Sequence, residues 1–242
     1  MDIEIMPNMD IRSVPSSRLA VAGGQESFQL VKNLVIAALL ECCSVEEFNE
    51  LKETLLIEYV TEQSHEDLLM FARKDPASCG DPLVIARTYT SFAAVMHYRL
   101  AHCVYQNAKR SCNSHEQSLA AIISRRGKML SGAEIHFRCS IGARLIIDHG
   151  FGTVIGETAI IGDDCYILGG VTLGARGISS NPSIPRHPKV GSRVQIGAFS
   201  SVLGPVNIGD DAFIGPRCII TQDVPSGARV QVKTSLQVVI EQ

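Results

Sequence analysis

Apolar residues recur at helical spacing in the first half of the chain. After Ser44, which forms a capping-box pattern with Glu47, an apolar stripe follows at intervals of three and four residues as far as Tyr59. A capping residue followed three positions later by an acid or amide, or followed directly by proline, is typical of a helix N-terminus. By this criterion we predict four helix starts, at Ser44, Ser64, Asp81 and Ser114.

Prolines also indicate where these helices end. The helix from Ser64 is expected to stop before Asp75-Pro76, because the residue before a proline is disfavoured in helical conformation. The helix from Asp81 is expected to run to about Arg110. We therefore predict a helical domain over residues 27–132, preceded by a loosely ordered segment over residues 1–26.

After Gly132 the apolar period changes to six residues. The recurring aliphatic residues are Ile135, Ile141, Ile147, Val154, Ile160, Val190, Ile196, Val202, Ile208, Ile214 and Ile220. Each unit of six would form one short strand and a turn, and three units would form a triangular coil with its aliphatic side chains stacked inward and glycine permitting the corner backbone. The pattern predicts a parallel β-helix over residues 133–224, and an α+β fold for the whole chain.

The six-residue period is interrupted between Thr172 and Val190. The intervening sequence contains glycine, proline, serine and asparagine, which favour loop structure. We predict a loop expelled from the β-helix over residues 174–189, where a rigid repeat protein often places functional groups. A C-terminal tail over residues 225–242 follows the last repeat.

Charge and composition exclude several classes of partner. The 22 basic and 25 acidic side chains give a formal charge of -3, and no dense run of lysine and arginine is present, so we expect no nucleic-acid partner. The start "MDIEIMPNMD" is acidic where a signal peptide is basic, and the apolar run "LVIAALLECC" is too short to span a bilayer. We expect a cytoplasmic protein without a membrane partner.

The eight cysteines are spread along the chain without a CxxC pair. This spacing favours reduced thiols that act as small core residues, and it does not indicate a structural zinc site. We expect no resident metal.

Six short motifs in the chain follow one another in a distinctive order. They are "KDPA" (74–77), "AEIH" (133–136), "IIDHGFG" (146–152), "VIGETAIIGDD" (154–164), "GGVTLG" (169–174) and "RHPK" (186–189). With a helical domain ahead of the repeat, this order resembles the serine O-acetyltransferase family from about Lys74 to Val224. The resemblance implies a left-handed β-helix, trimers with active sites between subunits, and two trimers joined through their helical domains. It also implies acetyl transfer from acetyl-CoA to L-serine in cysteine biosynthesis.

The resemblance implies that His149 is the general base. A serine hydroxyl is too weak an acid to attack a thioester unaided at neutral pH, and an imidazole with an ordinary pKa of about 6.5 keeps a useful neutral fraction. The family orients this histidine with an aspartate from the preceding unit, and the matching position here is Glu134. The longer side chain moves the carboxylate by about 1.5 Å if the backbone is unchanged.

For the amino-acid substrate, the resemblance assigns the ammonium group to Asp75 and Asp148 and the carboxylate to Arg186. His187 would lie near the reacting hydroxyl, and we count it with the catalytic residues. These residue types suit a zwitterion, because an arginine fork can take a carboxylate and two acids can neutralise an ammonium group. We interpret Glu157 in the "GETA" motif as a residue that braces a turn.

For acetyl-CoA, we expect the pantetheine arm to lie in a groove between two β-helices, where small residues let it approach the backbone. The candidate positions are Gly174, Gly197, Ala198 and Gly215.

Departures from the family pattern at Glu134, in the loop and at Pro185 leave the substrates open, and another departure concerns the C-terminus. The loop "GARGISSNPSIP" (174–185) replaces a "GGTGK"-like sequence, and Pro185 replaces an acid. Family members that dock on O-acetylserine sulfhydrylase end in isoleucine, whereas this sequence ends in Gln242, so we do not expect that complex. The alternatives are another hydroxyl acceptor such as homoserine, or a different acyl donor.

Two further interpretations belong to other functional classes. A γ-type carbonic anhydrase also builds on a left-handed β-helix and uses three histidines for zinc. His136, His149 and His187 supply that number without the H-x4-H spacing, and we interpret His136 as structural. The other interpretation is a non-catalytic scaffold that binds a partner through the helical domain.

Overall fold

The structure, a computed structural model, describes residues 24–111, 114–177 and 184–233. Within these ranges it describes the side chains of all residues except those from 110 to 116. The chain divides into two compact units between Arg138 and Cys139. Most of the segment predicted to be loosely ordered, and residues 234–242 of the tail, lie outside the described residues. The predicted domain boundary at residue 132 stays a prediction.

Over its described residues, 24–111 and 114–138, the first unit contains six α-helices. They are α1 (Gly24–Leu40), α2 (Val45–Lys52), α3 (Leu56–Lys74), α4 (Pro82–Thr88), α5 (Thr90–Ser111) and α6 (Ser114–Ser131). A 3-10 helix (Pro76–Ser78) joins α3 to α4, and the short strand β1 (Glu134–Ile135) follows α6. Within the described ranges, none of the helices has the combination of length and hydropathy that crossing a bilayer requires.

Two of the predicted helix starts are confirmed by their caps. The Ser44 hydroxyl accepts a hydrogen bond from the Glu47 amide, while the Glu47 carboxylate accepts one from the Ser44 amide, so the capping box is complete. The Asp81 carboxylate accepts a hydrogen bond from the Leu83 amide at the start of α4. The Ser114 start coincides with the first residue of α6, but its side chain lies outside the described ones.

Two other helix boundaries were predicted wrongly. Ser64 lies in the middle of α3, which begins at Leu56 because the chain breaks its helix after Lys52. The segment from Asp81 is two helices, because Tyr89 adopts an extended conformation between α4 and α5. Apolar spacing continues across both breaks, so the pattern alone could not reveal them.

Three histidines of the first unit are largely buried and give it a pH-dependent stability. Burial lowers the pKa of His65, His97 and His102, because a charged ring is poorly solvated there. Each ring also has a hydrogen-bonding contact, with Ser27 Oγ, Ala93 O and Phe137 O respectively. Folding therefore disfavours the protonated form of these rings.

We expect the protein to lose stability as the pH falls below about 6.5. Above this ordinary histidine pKa the rings are neutral in both states and contribute no pH dependence. Below it the unfolded chain binds protons that the folded chain resists, so the free energy of unfolding falls by up to about 1.4 kcal/mol per pH unit for each histidine. Urea unfolding between pH 7.5 and 5 measures this slope. His97→Leu should reduce it by about a third, and an unchanged slope in that variant would contradict the assignment.

The second unit is built from short parallel strands. They are β2 (Ser140–Ile141), β3 (Ile146–Asp148), β4 (Val154–Ile155), β5 (Ile160–Ile161), β6 (Tyr166–Leu168), β7 (Thr172–Gly174), β8 (Lys189–Val190), β9 (Gln195–Ile196), β10 (Ser201–Leu203), β11 (Asn207–Ile208), β12 (Phe213–Ile214), β13 (Ile219–Ile220) and β14 (Arg229–Val230). Within this unit the three sheet orders are β4-β7-β10-β13, β2-β5-β8-β11 and β3-β6-β9-β12-β14. Strands three apart pair along most of the unit, which is the topology of a three-sided β-helix.

The predicted inward columns are confirmed except at two positions. Nine of the eleven aliphatic residues are buried, but Val154 and Ile160 are 36% and 43% exposed, and Ile155 and Ile161 take their places inside. The strand pairing explains the shift. The chain takes seven residues from Ile147 to Val154, but only five between their partners Ile167 and Thr172. The first complete coil therefore has a corner, residues 148–153, that is two residues longer than the matching corner of the next coil, residues 168–171. We call residues 148–153 the widened corner.

In the repeat, glycine is needed more for the close spacing of adjacent coils than for the backbone conformation at the corners. A Cβ on Gly162 would lie 2.6 Å from Ser192 Oγ and 2.7 Å from the Gly191 carbonyl carbon, so a larger residue would push adjacent coils apart. Several corner residues with a left-handed backbone conformation are not glycine, for example Arg144 and Asp164 with φ of 59° and 60°. Their side chains pair across coils, with Arg144 Nε 2.6 Å from Asp164 Oδ1.

Candidate active site

The widened corner carries His149 out of the coil. The strand β3 ends at Asp148, and His149 adopts a left-handed conformation with φ of 61°. Tight turns follow it, in which the Gly150 amide donates to Asp148 O at 2.8 Å and the Phe151 amide donates to His149 O at 2.9 Å. The His149 side chain is 83% exposed. A solute can therefore reach its imidazole, as a general base requires.

Asp148 is fixed beside this imidazole by a tyrosine from the next coil. The Tyr166 hydroxyl donates to Asp148 Oδ2 at 2.9 Å, and Asp148 Oδ1 lies 3.9 Å from His149 Nε2. The second distance is too long for a hydrogen bond. Sequence reasoning missed Tyr166, although it lies 18 residues after Asp148, the length of one uninterrupted coil.

Glu134 lies in the first unit, where its carboxylate pairs with the Lys128 ammonium group of α6. Both side chains are about half exposed. The orienting role of Glu134 toward His149 stays a prediction. Nearby, His136 Nδ1 accepts a hydrogen bond from the Arg138 amide at 3.2 Å, and its ring stacks on Phe137, which agrees with a structural role.

The "GETA" and "RHPK" motifs meet on the second unit. Arg186 Nη2 donates to Glu157 Oε2 at 2.6 Å, and both side chains are about three-quarters buried. Glu157 thus does more than brace its own turn, because it holds the guanidinium group that we predicted would take the substrate carboxylate. The sequence offered a signal for this pair, since both residues belong to the motifs that carried the resemblance.

His187 is held by Thr158, a residue that sequence reasoning missed. The Thr158 amide donates to His187 Nδ1 at 3.1 Å, and the Thr158 hydroxyl lies 2.8 Å from the same nitrogen. The same hydroxyl oxygen accepts hydrogen bonds from the amides of Arg186 and His187 at 3.0 and 3.2 Å. His187 is 8% exposed, so it is a buried wall of this site and not a residue of a solvated loop.

Asp75 caps the 3-10 helix of the first unit. Its Oδ1 accepts a hydrogen bond from the Ala77 amide at 3.0 Å, and its Oδ2 accepts one from the Tyr89 hydroxyl at 2.6 Å. The side chain therefore has a local structural role, and its contact with substrate stays a prediction.

The four positions predicted for acetyl-CoA differ in what their neighbours require. A Cβ on Gly197 would lie 2.5 Å from Pro216 N, so the stacking of the coils already accounts for that glycine. At Gly174 the nearest atoms are methyl groups 3.1 Å away, and at Gly215 the nearest is Val230 O at 3.2 Å, so these sites are less tightly constrained. Ala198 follows Gly197 in the same corner. The predicted loop is described only at its ends, because residues 178–183 lie outside the described ranges.

Among the side chains that the structure describes, no group of three or more histidine, cysteine, aspartate and glutamate residues is arranged to hold a metal ion.

Comparisons with known proteins place the chain in a family. The family model described as "Bacterial transferase hexapeptide (six repeats)" matches residues 187–222. The serine acetyltransferase of Mycobacterium tuberculosis is 41% identical over 164 residues, which cover 68% of this chain and 67% of the relative. That of Helicobacter pylori strain 26695 is 38% identical over 156 residues, covering 64% and 85%. The chain belongs to the serine acetyltransferase family.

Solved structures of family members have the same architecture. Entamoeba histolytica serine acetyltransferase isoform 3, in complex with cysteine, aligns with a TM-score of 0.69 at 27% identity, covering 89% of this chain and 84% of that one. The Neisseria gonorrhoeae enzyme in complex with serine aligns with a TM-score of 0.68 at 30% identity, covering 84% and 82%. The predicted fold is thereby confirmed as a helical region followed by a left-handed β-helix of about 5 turns.

Proposed function

We propose that this chain transfers the acetyl group of acetyl-CoA to the hydroxyl of L-serine, giving O-acetyl-L-serine and CoA. The observation that carries the proposal is the exposed His149 on the widened corner, beside a carboxylate that Tyr166 holds in place. Membership of the serine acetyltransferase family supports this reaction over the carbonic anhydrase and scaffold interpretations.

In the proposed reaction His149 acts as the general base. Its neutral ring takes the proton of the serine hydroxyl while the hydroxyl oxygen attacks the thioester carbonyl carbon. The C–S bond then breaks, and the CoA thiolate takes the proton from the imidazolium, which returns the ring to its neutral form. Glu134 is proposed to hold the other ring nitrogen and so fix the tautomer.

The acceptor amino acid is proposed to lie between groups of both signs. Asp148 and Asp75 take the ammonium group, and Arg186 takes the carboxylate in a charge-assisted hydrogen bond. The ion pair with Glu157 supports this assignment, because it fixes the guanidinium group before substrate arrives. The pantetheine arm of acetyl-CoA is proposed to pass Gly174, Gly197, Ala198 and Gly215.

We propose a homotrimer or a dimer of trimers, because the hexapeptide-repeat β-helix is typically trimeric. Light scattering on the purified protein measures the mass of the assembly. A location in the cytoplasm stays a sequence-based prediction. So does the absence of a complex with O-acetylserine sulfhydrylase, and residues 234–242, on which it depends, are outside the described residues.

The direct test is the release of free CoA from acetyl-CoA in the presence of L-serine. Homoserine and threonine, offered at the same concentration, compare the alternative acceptors, and propionyl-CoA compares the acyl donor. We expect the largest kcat/KM for L-serine with acetyl-CoA. A protein that releases no CoA with any of these pairs would contradict the enzymatic proposal.

Tyr166→Phe is expected to weaken the binding of the amino acid more than it slows the chemical step. Without the phenol hydroxyl, Asp148 loses a hydrogen bond that is worth about 1.5–3 kcal/mol when the acceptor is charged, although water can replace part of it. We expect the KM for L-serine to rise about 5- to 20-fold, with kcat changing by less than about 3-fold.

The matched control for this variant is Tyr105→Phe, which removes a tyrosine hydroxyl from the first unit. Initial rates over a range of L-serine concentrations separate KM from kcat. A fall in kcat with an unchanged KM would contradict the placement of Asp148 at the ammonium group.

A further inference from the structure

We propose that Thr158 fixes His187 in the tautomer that carries its proton on Nε2, so that His187 serves as a neutral hydrogen-bond donor and not as a second base. The inference deepens the proposed function and rests on it for the identity of the substrate. The protonation state itself follows from contacts within the second unit.

The first contact is with a backbone amide. The Thr158 N–H lies 3.1 Å from His187 Nδ1, and an amide nitrogen can only donate. Nδ1 must therefore present its lone pair to this amide. In a neutral imidazole an unprotonated Nδ1 requires the proton to be on Nε2.

The second contact gives the same result from the side chain. The Thr158 hydroxyl oxygen already accepts hydrogen bonds from the amides of Arg186 and His187, which occupy both of its lone pairs. Its own hydrogen is then directed at His187 Nδ1, 2.8 Å away. Two donors converge on one ring nitrogen, so a proton on that nitrogen would face both of them.

The surroundings also favour a ring without charge. His187 is 8% exposed, and its neighbour along the chain is Arg186, whose guanidinium group pairs with Glu157. A protonated ring would break the contacts with Thr158 and place a positive charge where little water can solvate it.

Gly156 keeps the other edge of the ring in position. A Cβ added there would lie 2.1 Å from both Cδ2 and Nε2 of His187, so only glycine lets the imidazole lie this close to the coil. The ring is therefore fixed on both sides, with Nδ1 on Thr158 and the Cδ2–Nε2 edge against Gly156. A donor held this firmly needs little reorganisation when a substrate binds.

This arrangement gives the two histidines of the site different roles, His187 as a hydrogen-bond donor and His149 as the base. The Nε2–H of His187 can donate to an oxygen of the acceptor amino acid. It cannot accept a proton from the hydroxyl, because Nε2 already carries one. His149 is then the single base, and Thr158 is a positioning residue that acts through His187.

Two substitutions of His187 distinguish a donor from a base. The amide nitrogen of glutamine can take the place of Nε2, whereas the amide of asparagine reaches only the place of Nδ1. For a donor, we expect His187→Gln to keep kcat/KM within about 10-fold of the wild type, and His187→Asn to lose about 10²- to 10³-fold. The pH dependence of kcat in His187→Gln should match the wild type. Equal losses in both variants, with one ionisation gone from the pH profile, would overturn the donor role.

Thr158 is tested by a matched pair of variants. Thr158→Val removes the hydroxyl while keeping the shape of the side chain, and Thr158→Ser keeps the hydroxyl. We expect valine to lower kcat/KM by about 10- to 100-fold because three hydrogen bonds are lost, and serine to restore most of it. A serine variant as impaired as the valine variant would show that the methyl group matters and not the hydroxyl.

A spectroscopic measurement tests the tautomer without any turnover. The nitrogen-15 shifts of a ring-labelled histidine distinguish a protonated from an unprotonated nitrogen, and His187→Gln identifies the signals by their loss. Solid-state spectra of the whole protein at neutral pH should show Nδ1 unprotonated and Nε2 protonated. A protonated Nδ1 would overturn the inference even if the protein acetylates serine. The expected spectrum would support it even if the proposed acceptor proved wrong.

Discussion

His149→Asn is expected to lower kcat for CoA release by about 10²- to 10⁴-fold, the range that a positioned general base contributes. Asparagine preserves some of the polarity of the exposed side chain but cannot take a proton from the serine hydroxyl. The imidazole is 83% exposed and lies on the corner that follows β3, so replacing it should leave the β-helix intact. Initial rates at saturating L-serine and acetyl-CoA measure the effect.

The control for this variant is His136→Asn. His136 also directly follows a strand, but its contacts are with the Arg138 amide and the Phe137 ring, so we expect kcat to change by less than about 2-fold. Calorimetric titration with CoA should show unchanged binding in His149→Asn. If that variant kept the wild-type kcat, His149 would not be the base.

Asp67→Asn is expected to lower the free energy of unfolding by about 3–5 kcal/mol, because it removes the negative charge that is paired with a buried guanidinium group. Asp67 and Arg99 are 1% and 3% exposed, and the carboxylate accepts two hydrogen bonds of 2.9 Å from Nε and Nη2. Amide oxygen can replace only one of these acceptors and carries no charge. Urea unfolding at pH 7.5 measures the loss.

Two further variants separate the buried pair from ordinary surface pairs. Glu58→Gln breaks the exposed ion pair with Lys32 and should cost less than about 1 kcal/mol. The double variant Asp67→Leu with Arg99→Met removes both buried charges and should be more stable than Asp67→Asn alone. If the single and double variants were equally unstable, the loss would come from packing and not from an unpaired charge.

The repeat is the part of the fold that the sequence predicts best. Each inward residue recurs after six positions because each side of the coil has the same length, and nine of the eleven predicted positions are buried. The prediction failed at Val154 and Ile160, directly after the widened corner. Two extra residues there shift the register by two positions, and an apolar residue at both neighbouring positions, 154–155 and 160–161, hides the shift.

In the candidate site too, some features follow from the sequence and others only from the structure. The family resemblance carried by the motifs pointed to His149, Asp148, Arg186 and His187, and these residue types suit a hydroxyl acceptor that needs a base and groups of both charges. Their partners Tyr166, Glu157 and Thr158 come from other turns or coils, and nothing in the local sequence states which atoms they reach. The widened corner similarly places His149 outside the coil, which the period of the repeat does not predict.

The sequence by itself determined the two-part architecture and the parallel coil, because these depend on local propensity and on a period that is repeated many times, and its motifs indicated the candidate base through their resemblance to the family. Only the tertiary structure decided which coil corner is longer, which oxygen of Asp148 is held by Tyr166, and which nitrogen of His187 accepts from Thr158. Those features depend on distances between residues 18 to 29 positions apart in the chain. Such distances are set by the stacking of the coils and not by any stretch of adjacent residues.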